Sequence, residues 1–271
     1  MSPAIGTGPI RALVVVTYLA MVAMNFLANA LPLNGRRTGE VSNEYQNLFT
    51  PAGLTFSIWS VIYLLLGAHV LYQLGLFHGS PGRDRVPLLN RVGVLFSVSS
   101  VANAAWVFAW HYGMIPLSVV LIGVILVCLI LITNNLRTAK LTVRERWFVG
   151  VPFSVYFGWT TVATVANITV LLVSLDWDGF GMADWTWAVI IVVIAMVIGT
   201  ITTLRNQDVA YGLVLIWAYG GILFRQVSPE GLDGRYPVVI GAVVVSLVVF
   251  ILVEAVVLRQ RRSAVGLRIG R

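Results

Sequence analysis

Apolar residues fall in long runs separated by short polar segments, and the runs lack the period-two alternation of half-buried strands. Eight apolar blocks can be counted, at about 11–31, 54–77, 90–112, 115–136, 147–174, 185–204, 209–225 and 237–258. Each is near the ~20 residues that a helix needs to cross the hydrocarbon core of a bilayer. The pattern therefore predicts an all-α fold, a polytopic transmembrane helix bundle of about eight spans. The seventh block is the shortest, and if it stopped short of crossing, the C-terminus would change sides. The first has no small-residue cleavage site after a short core and is expected to be a retained span, not a signal peptide.

Polar and aromatic residues inside the blocks are aligned. In the fifth, Pro152, Tyr156, Trp159, Ala163 and Asn167 recur at spacings of four, three, four and four, which on a helix is one narrow stripe. The proline suits a first helical turn, where its missing N–H would have no partner in any case. Phe56, Trp59, Tyr63 and Gly67 align in the second block, and Ser99, Asn103, Trp106 and Trp110 in the third. Asn25 and Asn29 lie four apart in the first, ahead of Pro32. An amide in a bilayer costs free energy unless it is paired, so these faces should look into the bundle. For Asn25 and Asn29, hydrogen bonds between helices explain the pair as well as a ligand does. Interfacial belts account for Trp110, Trp185 and Trp187 and compete for Trp59 and Trp159. A belt does not predict aromatic rings sharing a stripe with Asn and Gly in three spans. The run Tyr219-Gly220-Gly221 suits close helix packing.

Composition agrees with the pattern. The 271 residues are 58% hydrophobic and 11% charged, against roughly a quarter charged in soluble domains. A formal net charge of +7 could indicate nucleic acid, but the cations sit in short loops and the tail, where anionic headgroups explain them and no nucleic acid is needed. With the N-terminus inside, 14 of the 18 lysines and arginines fall in inner segments, including Arg137, Lys140, Arg144 and Arg146. Only Arg36, Arg37, Arg225 and Arg235 fall outside. The asymmetry places both termini in the cytoplasm of a multi-pass protein of the plasma or inner membrane. The outer segment 33–50, with Arg36-Arg37-Thr38-Gly39-Glu40, reads as a solvated loop. The acidic stretch from Asp176 to Asp184 lacks the full ligand alternation of a calcium loop. The single cysteine, Cys128, can form no intrachain disulfide.

Catalytic chemistry finds no foothold. His69, His78 and His111 have no metal-ligand spacing, and phosphate-binding loops, dinucleotide fingerprints and nucleophile elbows do not occur. The chain is therefore not expected to be an enzyme, to hold a metal or to require a cofactor. His69 is the ionisable group deepest in a span, a position that draws functional attention by default. It lies off the Trp59 stripe, which favours a hydrogen-bonded structural role. Glu254, near the inner end of the last block, is expected to snorkel or to pair with Arg259. No internal repeat of the kind found in many transporters is visible.

Three segments in order resemble the tryptophan-rich sensory protein / translocator protein (TspO/MBR) family. Pro51 through Trp59-Ser60-Val61-Ile62-Tyr63 with Gly67 is similar to its second-helix Pro-Pro…Trp-x-x-x-Tyr…Gly pattern. Asn103-Ala104-Ala105-Trp106 with Phe108 is similar to its Asn-x-x-Trp…Phe-Phe pattern. Pro152…Tyr156-Phe157-Gly158-Trp159…Ala163…Asn167 is similar to its fifth-helix Pro-Tyr-x-x-Trp…Ala…Leu-Asn pattern. The resemblance covers roughly residues 10–175, and three further spans follow, as in an extended, divergent member. It implies a TspO-like five-helix bundle over 1–175, then three additional transmembrane helices and a basic cytoplasmic tail over 176–271.

By the same resemblance, Trp59, Tyr63, Asn103, Trp106, Tyr156, Trp159 and Asn167 line a pocket within the bundle. Its ligand would be a hydrophobic or aromatic small molecule, porphyrin-, haem- or sterol-like, in a sensory or ligand-handling role. The partners expected are membrane lipids and that ligand, with a homodimer allowed. A transporter or permease component and a non-catalytic subunit of a membrane assembly are the alternative readings.

Overall fold

The computed structural model describes residues 8–31, 33–77 and 85–269. Pro32, His78, Arg83 and Arg271, and the side chains of Asn29 and Arg268, lie outside the described residues. Among the described residues no strand occurs, and eight helices are long and apolar enough to cross a membrane. They are Gly8–Ala28, Gly53–Gln73, Val86–His111, Ile115–Thr138, Val143–Ser174, Asp184–Asn206, Val209–Val227 and Pro237–Ser263. The seventh, at 19 residues, is the shortest of them. The chain is all-α and divides into two compact units, Met1–Glu44 with Ser57–Thr160, and Tyr45–Phe56 with Thr161–Arg271.

The first unit holds α1 (Gly8–Ala30), α2 (Thr38–Glu44), α3 (Ile58–Gln73), α4 (Val86–His111), α5 (Ile115–Thr138), α6 (Val143–Glu145) and the beginning of α7 (Val151–Ser174). Helix α4 is its centre and packs on α1, α2 and α5. Prolines stand in the first turns of α4 and α5, where the lost N–H costs nothing. Gly67 has a local reason: a Cβ there would lie 2.6 Å from the Tyr18 hydroxyl, which donates to the Tyr63 carbonyl at 2.9 Å.

The entry to α7 is built around a proline. A capping box between Thr142 and Glu145 starts α6, a π-helical turn follows over Arg146–Gly150, and α7 then begins one residue before Pro152. Pro152 has no N–H to return to the Phe148 carbonyl four residues back. His69 Nδ1 reaches that carbonyl from α3 at 3.0 Å. A carbonyl only accepts, so Nδ1 carries a proton. Gln73 Nε2, which also donates to the Leu89 carbonyl at 3.3 Å, approaches His69 Nε2 at 3.1 Å, and Nε2 is therefore the acceptor. His69 is fully buried and hydrogen-bonded through both ring nitrogens.

The segment before α3 departs from the solvated loop expected of it. His111 ends α4, and its carbonyl belongs to the last turn, which has no helical donor. Asn34 Nδ2 and Arg36 donate to it at 3.1 and 3.0 Å, and Arg36 also pairs with Glu44. Helix α2 buries Thr38, Val41 and Ser42, and the Thr38 carbonyl accepts from Trp110 Nε1 at 3.1 Å. Trp110 is thus 4% exposed. It is covered by α2, where an interfacial belt would have left it facing headgroups.

The second unit holds the rest of α7 with α8 (Asp184–Asn206), α9 (Val209–Val227) and α10 (Pro237–Ile269). Helix α10 packs on both α8 and α9. Tyr211, beside the Asp208 cap of α9, donates to Thr161 at 3.2 Å. Tyr219 donates to the Val192 carbonyl at 2.7 Å and meets Phe250 edge-on at 5.0 Å. Its other component is a strap, residues 45–56, laid along α9. Ala52 N donates to the Gly221 carbonyl at 3.1 Å, and Trp217 Nε1 to the Thr55 carbonyl at 3.0 Å. Arg225 and Gln226 donate to the carbonyls of Thr50 and Leu48 at 3.1 and 2.7 Å. Gly221 allows the close approach its sequence suggested, its neighbour being the 3-10 turn Gly53–Ser57 of the strap, where an added Cβ would overlap Thr55.

Glu254 also differs from expectation. It is 6% exposed, lies against Gly212 of α9, and neither carboxyl oxygen has a hydrogen-bond partner among the described residues. A buried polar group without partners is a net cost, and an unbranched apolar side chain of similar length removes it. Glu254→Met is expected to raise Tm by about 2–4 °C, the change that ~1 kcal/mol gives a domain of 150–250 residues. A fall in Tm on heating in nanodiscs would contradict this.

Candidate functional site

Six of the seven residues expected to line a pocket come together in the first unit. Trp59 and Tyr63 lie one helical turn apart on α3 and stack at 5.6 Å with an interplanar angle of 16°. Trp59 then meets Trp106 of α4 at 5.9 Å and, edge-on, Tyr156 and Trp159 of α7 at 6.0 and 6.2 Å. Trp106 stacks in turn on Trp110 at 5.7 Å. The period-3.6 stripes of three helices thus converge on one ring, Trp59. Trp106, Tyr156 and Trp159 are buried, at 4%, 0% and 2% exposure, while Trp59 and Tyr63 are half-buried. The arrangement is a buried aromatic floor beneath a half-buried stacked pair. Rings at these separations are in direct contact, and they fill the middle of the cluster themselves.

A polar line runs behind the floor. Asn25 Nδ2 donates to the Met21 carbonyl at 2.9 Å and to Asn103 Oδ1 at 2.8 Å. Asn103 Nδ2 donates to the Tyr156 hydroxyl at 3.1 Å. The direction is set by the Met21 carbonyl, which can only accept, so each amide orientation follows from the one before it. Asn25 and Asn103 are 6% and 0% exposed. Because the Tyr156 oxygen accepts, its own proton points away from Asn103. The Tyr63 hydroxyl is also buried, beside Asn103 but without a hydrogen bond of good geometry. Among the described residues, neither phenol has an acceptor for its own proton.

Asn167, the seventh expected residue, is buried and falls in the second unit. The sequence reading missed Tyr18, whose signal was the glycine opposite it, and missed Asn25 as a member of the same network as Asn103. No group of three His, Cys, Asp or Glu able to hold a metal occurs among the described residues. A separate groove of about 570 Å³ lies elsewhere in the first unit, lined by Leu65, Ala68, Val143, Arg144, Trp147 and Phe148.

Eight apolar spans and an inward-facing aromatic cluster define a polytopic α-helical membrane protein. Comparison with known families matches residues 11–256 to the TSPO-like protein family, and the chain belongs to it. The match takes in the last three spans as well as the segments that carried the resemblance in sequence. No curated protein and no solved structure matches the chain.

Proposed function

We propose that the protein binds a flat, hydrophobic small molecule, porphyrin-like in its combination of an aromatic plane and polar edge, at the Trp59 cluster. The observation that carries this reading is the half-buried Trp59–Tyr63 pair standing over three buried rings, with two phenol groups able to donate. Indole faces suit a planar ligand, and a few placed donors orient its edge. Because the rings now fill the site, entry requires Trp59 and Tyr63 to turn aside and the ligand to take over their contacts. The role is ligand sensing or handling without catalysis, with both termini cytoplasmic in the plasma or inner membrane. The even number of spans and the basic inner segments support that orientation.

Titration of the purified protein with protoporphyrin, read by tryptophan quenching, tests the proposal. The double variant Trp159→Phe with Asn103→Ala is expected to weaken binding by about five- to 150-fold, the effect of a diminished ring contact and of losing the amide that orients Tyr156, at about 0.5–1.5 kcal/mol each. Quenching with unchanged affinity in the variant would remove the site from consideration.

A further inference from the structure

We infer that the groove between α3 and the α6–α7 entry is a binding site for one anionic phospholipid, an acyl chain lying in the groove and the phosphate on Arg144. The groove's volume of about 570 Å³ falls within the range of ligand sites, about 300–1,000 Å³. Leu65 and Ala68 form one wall, Val143, Trp147 and Phe148 the other, and among the described residues Arg144 is the charged residue lining it. Val143 is 73% and Trp147 64% exposed, so the protein itself leaves the apolar mouth uncovered in a segment of membrane-spanning character.

The wall is held in shape independently of any occupant. Phe148 is stacked between Tyr72 and Phe77 at 5.5 and 5.4 Å. The π-helical turn places Trp147 and Phe148 one after the other on the helix that the capping box begins. Arg144 donates to the Phe77 carbonyl at 3.3 Å, which fixes the guanidinium at the rim. That is its one hydrogen bond among the described residues, and most of its donors are left for a ligand.

Charge selects the occupant. Lys140, Arg144 and Arg146 fall in the same stretch, and its one acid, Glu145, is buried and already paired with Arg85 at 3.3 Å. Among the described residues no carboxylate forms an ion pair with Arg144. A guanidinium beside a phosphate forms charge-assisted hydrogen bonds, and an indole at the mouth suits the headgroup level. A zwitterionic lipid would fill the groove equally well but would gain less from Arg144.

The full-length protein in nanodiscs provides the test, with brominated phosphatidylglycerol or brominated phosphatidylcholine as quencher. The Trp147-dependent part of the fluorescence is defined by Trp147→Phe. An approximately fivefold preference for phosphatidylglycerol is expected, the effect of one basic residue at a lipid surface. Arg144→Gln should abolish the preference and Arg144→Lys should keep most of it. Ala68→Phe, which fills the groove, should reduce Trp147-dependent quenching by both lipids. Equal quenching by the two lipids in the native protein overturns the site. So does a preference that survives Arg144→Gln and is lost only with Lys140→Gln or Arg146→Gln, which would mean general attraction to the membrane surface.

Discussion

His69→Leu is expected to lower the stability of the first unit by about 1–3 kcal/mol, read as a fall in Tm of the protein in nanodiscs. Leucine fills most of the volume and can keep apolar contact with Phe153 and Phe96, whose rings meet the imidazole at 4.8 and 5.7 Å. It cannot donate to the Phe148 carbonyl, and the α-helical N–H four residues on is missing because residue 152 is proline. Gln73 also loses the Nε2 acceptor. A buried group deprived of its partner costs about 1–3 kcal/mol, which sets the range. The account makes a sharper demand through a double-mutant cycle. Pro152→Ala restores an N–H four residues after Phe148, so His69→Leu should cost about 1 kcal/mol less in that background. Equal costs in the two backgrounds would show that His69 does not stand in for the missing helical donor.

What could be read from sequence was what a single helix displays. Trp59, Tyr63, Asn103, Trp106, Tyr156 and Trp159 each sit on a stripe of period 3.6, and such a stripe announces its facing without knowledge of its neighbours. The eight spans were legible for the same reason, since length and apolar composition are local properties. Relationships between helices were not. Nothing in the spacing says that Asn25 donates to Asn103, or that His69 meets Phe148 79 residues away. Pro152 was read as lying in a first helical turn, so neither the carbonyl at position 148 nor the side chain that meets it entered that reading. Trp110 was misplaced by a statistical habit of membrane ends, because the strength of the α2 cover depends on the uncapped carbonyl of His111 and not on the tryptophan. Asn167 continues the stripe of α7 faithfully, yet the helix passes from one unit to the other between Thr160 and Thr161. A helical period persists across such a boundary, and the side chains that surround it change.

Adjacent glycines on α9 are expected to respond in opposite directions to the same methyl group. Gly220→Ala should be neutral or stabilise by up to about 1 kcal/mol, since nothing lies within 4 Å of the added Cβ and alanine is the better helix former. Gly221→Ala should destabilise, because its Cβ would overlap the Thr55 side chain at the heart of the strap. Thr55 is buried, at 3% exposure, and its own carbonyl is held by Trp217 Nε1, so it cannot turn aside without loosening that bond. Overpacking of this kind costs about 1–3 kcal/mol. A larger side chain should go further: Gly221→Leu is expected to lift the strap and break the bonds that Ala52, Thr55, Thr50 and Leu48 make with α9. Each is worth about 0.5–1.5 kcal/mol net, and their joint loss would cost more than the overlap itself. Limited proteolysis separates a lifted strap from general unfolding. Cleavage within residues 45–56 should accelerate at least tenfold in Gly221→Leu, while Gly220→Ala cleaves at the native rate. Equal Tm values for the two alanine variants, or no new cleavage in Gly221→Leu, would mean that the strap is not seated on Gly221.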